Sequence, residues 1–185
     1  QSDYLSGMGI QHVVDSVIGD GNCFYRAVSA AIFGDQNQYK HIKMEVLDRM
    51  TQADYEAAKL DFEYNMGEGS YFPGTFDRFR EEWVDSGIWA TSGSISLTAK
   101  YVCGPRGIQL VIVDVDGFKC LGHDLAAPDA FIKSIYLLNR LDSSGLGNHY
   151  DLIRIAYPQV KQVHLSMVDH STARPSLIAD TFNAT

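Results

Sequence analysis

The stretch DGNCFYRAVSAA, residues 20–31, sets a lone cysteine between a tight turn and a helix. Phe24, Val28, Ala31 and Ile32 recur at helical spacing, so Cys23 falls where the turn hands over to the helix. A structural cysteine favours the middle of an apolar face. A helix N-terminus instead carries about half a positive charge and presents free backbone N–H groups, which together favour thiolate over thiol. Gly21 removes the side chain that would crowd the turn. The N–H groups from Asp20 through Asn22 to Cys23 can then converge on the oxyanion that attack by the sulfur would create. A small buried residue opening a core helix fits the same letters, and the local sequence leaves both readings open.

A nucleophilic cysteine needs a base, usually histidine, and a group that orients the base. Of the six histidines, His12, His41, His123, His164 and His170 stand in polar or loop-like settings with no matching carboxylate pattern. His149 stands in GLGNHYDLIRI, where a glycine-rich loop enters a strand. Residues two apart in a strand share a face, so Asp151 can hold the His149 imidazole while Tyr150 points to packing. Asn148 is a second candidate orienting group. In isolation HYD fits equally a surface histidine beside a strand.

The rest of the chain gives these stretches a frame. Ile42, Val46, Leu47 and Met50 predict a helix over 38–50, and TQADYEAAKLDFEYNM predicts a third. GEGSYFPGT reads as a loop. Phe76, Phe79, Trp83 and Val84 share one face of the next helix, and Ile95, Ala99, Val102 and Cys103 mark another capped from TSGS. The period then changes: IQLVIVDV is a strand, the pair Asp116-Gly117 signals a hairpin into FKCL, and SIYLLN and YDLIRIAY are further strands. A helical first half and a stranded second half predict an α+β fold, with helices packed around a small sheet. From Pro158 the pattern fades into a polar tail, or a peripheral helix.

The 185 residues fit one domain, and 45% hydrophobic residues supply a core, so disorder throughout is excluded. A net charge of −8 argues against nucleic-acid binding, which needs a basic face; it suits a basic partner or simple solubility. No apolar run approaches a membrane span, and nothing resembles a signal peptide. Three scattered cysteines, Cys23, Cys103 and Cys120, make neither a disulfide framework nor a zinc site, which points to a reducing, cytoplasmic setting. Because the sequence opens on Gln1, we expect a monomeric domain of a larger protein.

Cysteine on the first core helix and histidine on a late strand is the chain order of papain-like cysteine proteases. DGNCFYRAVS together with NHYDLI resembles the ovarian-tumour (OTU) family of cysteine deubiquitinases. IWATSGSISLTAKYVCGPRGIQLVIV is similar to that family's middle block, where a tryptophan precedes a helix and a buried strand. The resemblance covers 13–157, leaving 1–12 as an extension and 158–185 as the tail. One departure stands out: Ala90 follows Trp89 where the family usually has glycine, and SGSIS lacks its acidic residue, as in a divergent viral or bacterial member.

The resemblance implies an OTU-type, papain-like fold with a small central β-sheet packed between helices. It implies Cys23 as nucleophile, His149 as general base, Asp151 as orienting acid and Asp20 as a shaper of the oxyanion turn formed with Gly21 and Asn22. Trp89 is placed by it either beside the centre or, as the stronger expectation, in the core. The implied reaction is hydrolysis of the isopeptide bond after the C-terminal glycine of ubiquitin or polyubiquitin, with ubiquitin-like modifiers a further class and no metal or cofactor. Two alternatives are a catalytically weak ubiquitin-binding module and another papain-like hydrolase or acyl transferase. For a viral or intracellular bacterial source, the setting would be host cytoplasm.

Overall fold

The computed structural model describes residues 10–66, 71–87, 89–114, 117–121, 133–141 and 147–155. Helix α1, Cys23–Phe33, is buried nearly all round in its first two turns, from Cys23 to Ser29. It stops at Gly34, whose left-handed φ of 76° lets its N–H return to the Ala30 carbonyl. Helix α2, Tyr39–Arg49, buries Ile42, Val46 and Leu47 against α1 and, unexpectedly, Lys43 with them. Helix α3, Gln52–Met66, opens on a reciprocal cap. The Asp54 carboxylate accepts from the Thr51 N–H at 2.9 Å, and the Thr51 hydroxyl accepts from the Asp54 N–H at 3.2 Å. Helix α4, Phe76–Glu82, and helix α5, Ser92–Thr98, are capped by Thr75 and Thr91.

The sheet holds five strands in the order β1-β5-β4-β2-β3: β1 His12–Asp15, β2 Ile108–Asp114, β3 Gly117–Leu121, β4 Lys133–Leu141 and β5 Gly147–Ile155. β2 and β4 run parallel; the other neighbours are antiparallel. Asp114 pairs with Gly117, so β2 and β3 form the expected hairpin. The α+β class read from the sequence is the observed one.

Strand alternation sorts the sheet into two faces. Leu110, Ile112, Ile135, Leu137 and Leu152 join the main core with Phe24, Tyr25, Val28, Val46 and Val102 from the helical half. Val113, Leu138 and Ile153 form a smaller cluster with Ile10, Val14 and Tyr136 on the opposite face. On β5, Tyr150 goes to the helical side, its ring edge-on to Phe24 at 5.4 Å. His149 and Asp151 take the other side, beside the small cluster.

The sequence reading assigns no strand to the β1 stretch, which spans the boundary it sets at 12–13 between extension and domain. It is a strand only because β5 supplies its partner, His12 opposite Ile155 and Asp15 opposite Leu152. Four residues, with Val13 59% exposed, are too few to show a period of their own. Residues 1–9 and the tail at 158–185 lie outside the described residues.

Candidate active site

Cys23 owes its position to the turn at 20–22. Gly21 has φ +81°, and a Cβ built on it would stand 2.1 Å from the Gly87 carbonyl oxygen. Only glycine satisfies both the conformation and the close approach. Asp20 folds back over the turn, accepting from the Asn22 N–H at 3.0 Å and from Arg26 Nη2 at 2.6 Å. The Arg26 guanidinium, helped by that N–H, holds the Asp20 carboxyl below its ordinary value. Arg26 itself lies 4.2 Å over the Tyr39 ring. Asp20 is therefore a turn-maker in an ion pair, and its carboxylate is not aimed at His149.

The turn's other flank is held by Lys43, which is fully buried. Its Nζ donates to Asn22 Oδ1 at 2.6 Å, to the Trp83 carbonyl at 3.0 Å and to the Ser86 carbonyl at 2.8 Å.

His149 meets Asp151 as the shared strand face requires: its Nε2 lies 3.0 Å from Asp151 Oδ1. Asp151 has no exposure, and its charge is met on all sides. Oδ1 also accepts from the Val17 N–H at 3.0 Å, and Oδ2 accepts from Arg140 Nε at 2.5 Å. Arg140 stands directly opposite His149 across β4 and β5, where a bulge interrupts the register. Because Asp151 occupies Nε2, Nδ1 is the ring nitrogen left to accept a proton. Gly19 keeps the space beside it open; a Cβ there would lie 3.5 Å from Nδ1.

The Cys23 thiol is brought against this strand, within reach of the Tyr150 backbone N–H between His149 and Asp151. Here the sequence expectation is corrected. Burial, at 6% exposure, pushes the thiol above its ordinary value and outweighs the N–H groups of Tyr150, Phe24 and Cys23 that favour the thiolate. In the turn itself the Asn22 N–H is committed to Asp20, while the Cys23 and Phe24 N–H groups at the start of α1 face the sulfur.

Trp89 is not a core residue. It is 48% exposed on the link between α4 and α5, while Trp83 fills the core, stacked on Phe79 at 5.2 Å and edge-on to Tyr25 at 5.5 Å. Trp83 rides the amphipathic face of α4, which carries it inward; Trp89 has no such face. The side chains of Asn148 and Cys120 lie outside those described. Among the described residues, no group of three or more His, Cys, Asp or Glu could hold a metal ion, and no helix is long and apolar enough to cross a membrane.

Sequence reasoning missed Lys43, Arg26 and Arg140. Lys43 had a signal: it precedes Val46, Leu47 and Met50 by three, four and seven residues, which puts a cation on an apolar face. Arg140 had none, because its role depends on the register of β4 against β5.

No family model matches the chain, and neither does any curated protein sequence. Solved structures do. The OTU domain of OTUD1 superposes with a TM-score of 0.50 at 23% identity, covering 82% of this chain and 90% of that one. An OTU deubiquitinase from Wolbachia pipientis wMel, solved bound to ubiquitin, gives 0.52 at 13% identity, covering 78% and 96%. The chain has the OTU fold. A further OTU domain in complex with ubiquitin gives 0.50 at 14% identity, covering 78% of this chain and 70% of that one.

Proposed function

We propose that the chain is a divergent OTU-type cysteine deubiquitinase acting through Cys23, His149 and Asp151, with the catalytic unit at 13–157. What supports this reading is an OTU fold that carries a helix-start thiol within reach of the Tyr150 backbone N–H, the residue between His149 and the buried aspartate that holds it.

Because burial holds the Cys23 thiol above its ordinary value, His149 acts first as general base. Its Nδ1 takes the Cys23 proton as the sulfur attacks the carbonyl carbon of the isopeptide bond. The resulting imidazolium is stabilised by Asp151. The carbonyl oxygen becomes an oxyanion facing the N–H groups at the start of α1. His149 then returns its proton to the departing lysine amine as the C–N bond breaks. Water, deprotonated by His149, resolves the thioester and regenerates the thiol. Ubiquitin and its chains are the proposed substrates, with ubiquitin-like modifiers a second class. The cytoplasm is the proposed setting, since the chemistry needs a reduced thiol.

One observation favours a second reading, a ubiquitin-binding module of weak activity: Cys23 is only 6% exposed. A ubiquitin probe with a C-terminal electrophile, followed by each type of di-ubiquitin, separates the two. We expect a covalent adduct at Cys23 and chain cleavage that Cys23→Ala abolishes and Cys103→Ala leaves nearly intact. Binding without adduct would select the second reading. Cleavage surviving Cys23→Ala would sink the first.

A further inference from the structure

We propose that Lys43 is a positioning residue for this reaction: its buried ammonium draws the Asn22 carboxamide away from α1 and so keeps the N–H groups around Cys23 open to the oxyanion. Asn22 is the N-cap of α1. An asparagine there ordinarily turns its side-chain oxygen back onto the N–H of the second or third helical residue. Here it makes no such bond. Its Oδ1 is taken by Lys43 Nζ at 2.6 Å instead. The first-turn N–H groups that a cap would consume include that of Phe24, which is turned toward the Cys23 sulfur.

The cost of this arrangement argues that it does more than fill space. An ammonium with no exposure sits on the α2 face that otherwise carries Ile42, Val46 and Leu47. Well-packed apolar side chains at such positions are often as stable or more so. All three donors are used, the other two on the Trp83 and Ser86 carbonyls. Lys43 thus ties the nucleophile turn to the turn at 83–87, the same one whose Gly87 carbonyl presses on Gly21.

The groups facing Lys43 are the Tyr25 and Trp83 rings at 4.9 and 5.3 Å, with Asp20 and Asp85 favouring its charge and Lys40 opposing it. Burial outweighs them and pulls the ammonium down to about 8. Above that pH the hold on Asn22 weakens.

The inference rests on the deubiquitinase reading for its kinetic test but not for its spectroscopic one. By NMR, the Asn22 side-chain amide of the wild-type chain should titrate near pH 8, and Lys43→Arg, which keeps its charge, should abolish that step. An Asn22 side-chain amide that is blind to pH in the wild type and also unmoved by Lys43→Arg would overturn the proposal, whatever the activity. In turnover of di-ubiquitin, Lys43→Met should lower kcat about tenfold to a hundredfold with KM within about twofold, the scale of a lost oxyanion donor. In an Asn22→Ala background, which has no side chain to cap the helix, the same substitution should cost about threefold or less. An equal loss in both backgrounds would show that Lys43 does not act through Asn22. If Lys43→Met fails to fold, the Lys43→Arg titration still decides. Wild-type protein that cleaves no ubiquitin conjugate would refute the functional reading alone.

Discussion

The two halves of the site are built on opposite plans. The nucleophile turn is largely local: Asp20, Asn22 and Arg26 bond one another across at most six positions, and Gln36, Asn37 and Tyr39 meet Arg26 from the next segment, while Lys43 and Gly87 reach in from further along the chain. The histidine half is assembled at long range. Asp151 is held by Val17, 134 positions away, and by Arg140 on the neighbouring strand. The local half survives in the letters as a recognisable motif, because its geometry is written in consecutive residues. The distant half depends on strand pairing, and its motif, HYD, says little by itself. The difference also divides the labour: the first half's charges shape backbone, while in the second Asp151 fixes the His149 ring.

The comparison breaks if the two aspartates exchange roles. Asp151→Ala should reduce kcat/KM for di-ubiquitin about a thousandfold or more, on the scale known for serine protease triads, because a thiol held up by burial leaves His149 a proton transfer to perform. Asp20→Ala should cost about tenfold or less in turnover while lowering stability by about 1–2 kcal/mol through the lost Asn22 and Arg26 bonds. Thermal melts alongside initial rates read both effects. A severe catalytic loss at Asp20 with near-normal turnover at Asp151 would reverse the assignment.

The glycines sharpen it further. Gly21→Ala meets both a left-handed backbone and the Gly87 carbonyl at 2.1 Å, and should destabilise by about 2–4 kcal/mol. Gly19→Ala places a methyl at ordinary contact distance from His149, 3.5 Å, and should change stability by less than about 1 kcal/mol. Urea denaturation of the two variants compares them directly; similar losses would mean that the two turns are equally constrained.

The smallest expected effect lies outside both halves. Burial pushes the Cys103 thiol up to about 12 from an ordinary 9.0. The unfolded chain gives up this proton first, so the stability it contributes is intact below pH 9 and is lost as pH rises toward 12. Tyr150, raised to about 12, acts in the same sense, whereas Lys43, lowered to about 8, makes the fold more stable as pH rises above 8. The melting temperature of Cys103→Ala should therefore fall less between pH 9 and 11 than that of the wild type. Parallel curves would remove Cys103 from the account.

Much of the fold was legible because its signals are local. The helices announced themselves by apolar stripes, by a Ser or Thr cap or, for α3, by a run of helix formers, and β2 by a run of β-branched residues. What stayed hidden needed partners. β1 is a strand only beside β5, and Arg140 matters only through the register that sets it opposite His149. The acidity of Cys23 was misjudged for the same reason. The turn and helix start speak for a thiolate, but burial is contributed by elements distant in sequence, and it prevails. Lys43 was visible as a cation in an apolar stripe, yet only the packed structure shows it gripping Asn22.

The pairing of β1 with β5, and the Val17 N–H bonded to Asp151, also govern when the thiol becomes dangerous. As the chain leaves the ribosome, the nucleophile turn emerges early and β5 some 130 residues later, several seconds at ordinary synthesis rates. Until then neither His149 nor the Tyr150 N–H can stand beside the sulfur. On the proposed reading, the nascent protein carries an idle cysteine until the sheet edge closes and completes the site.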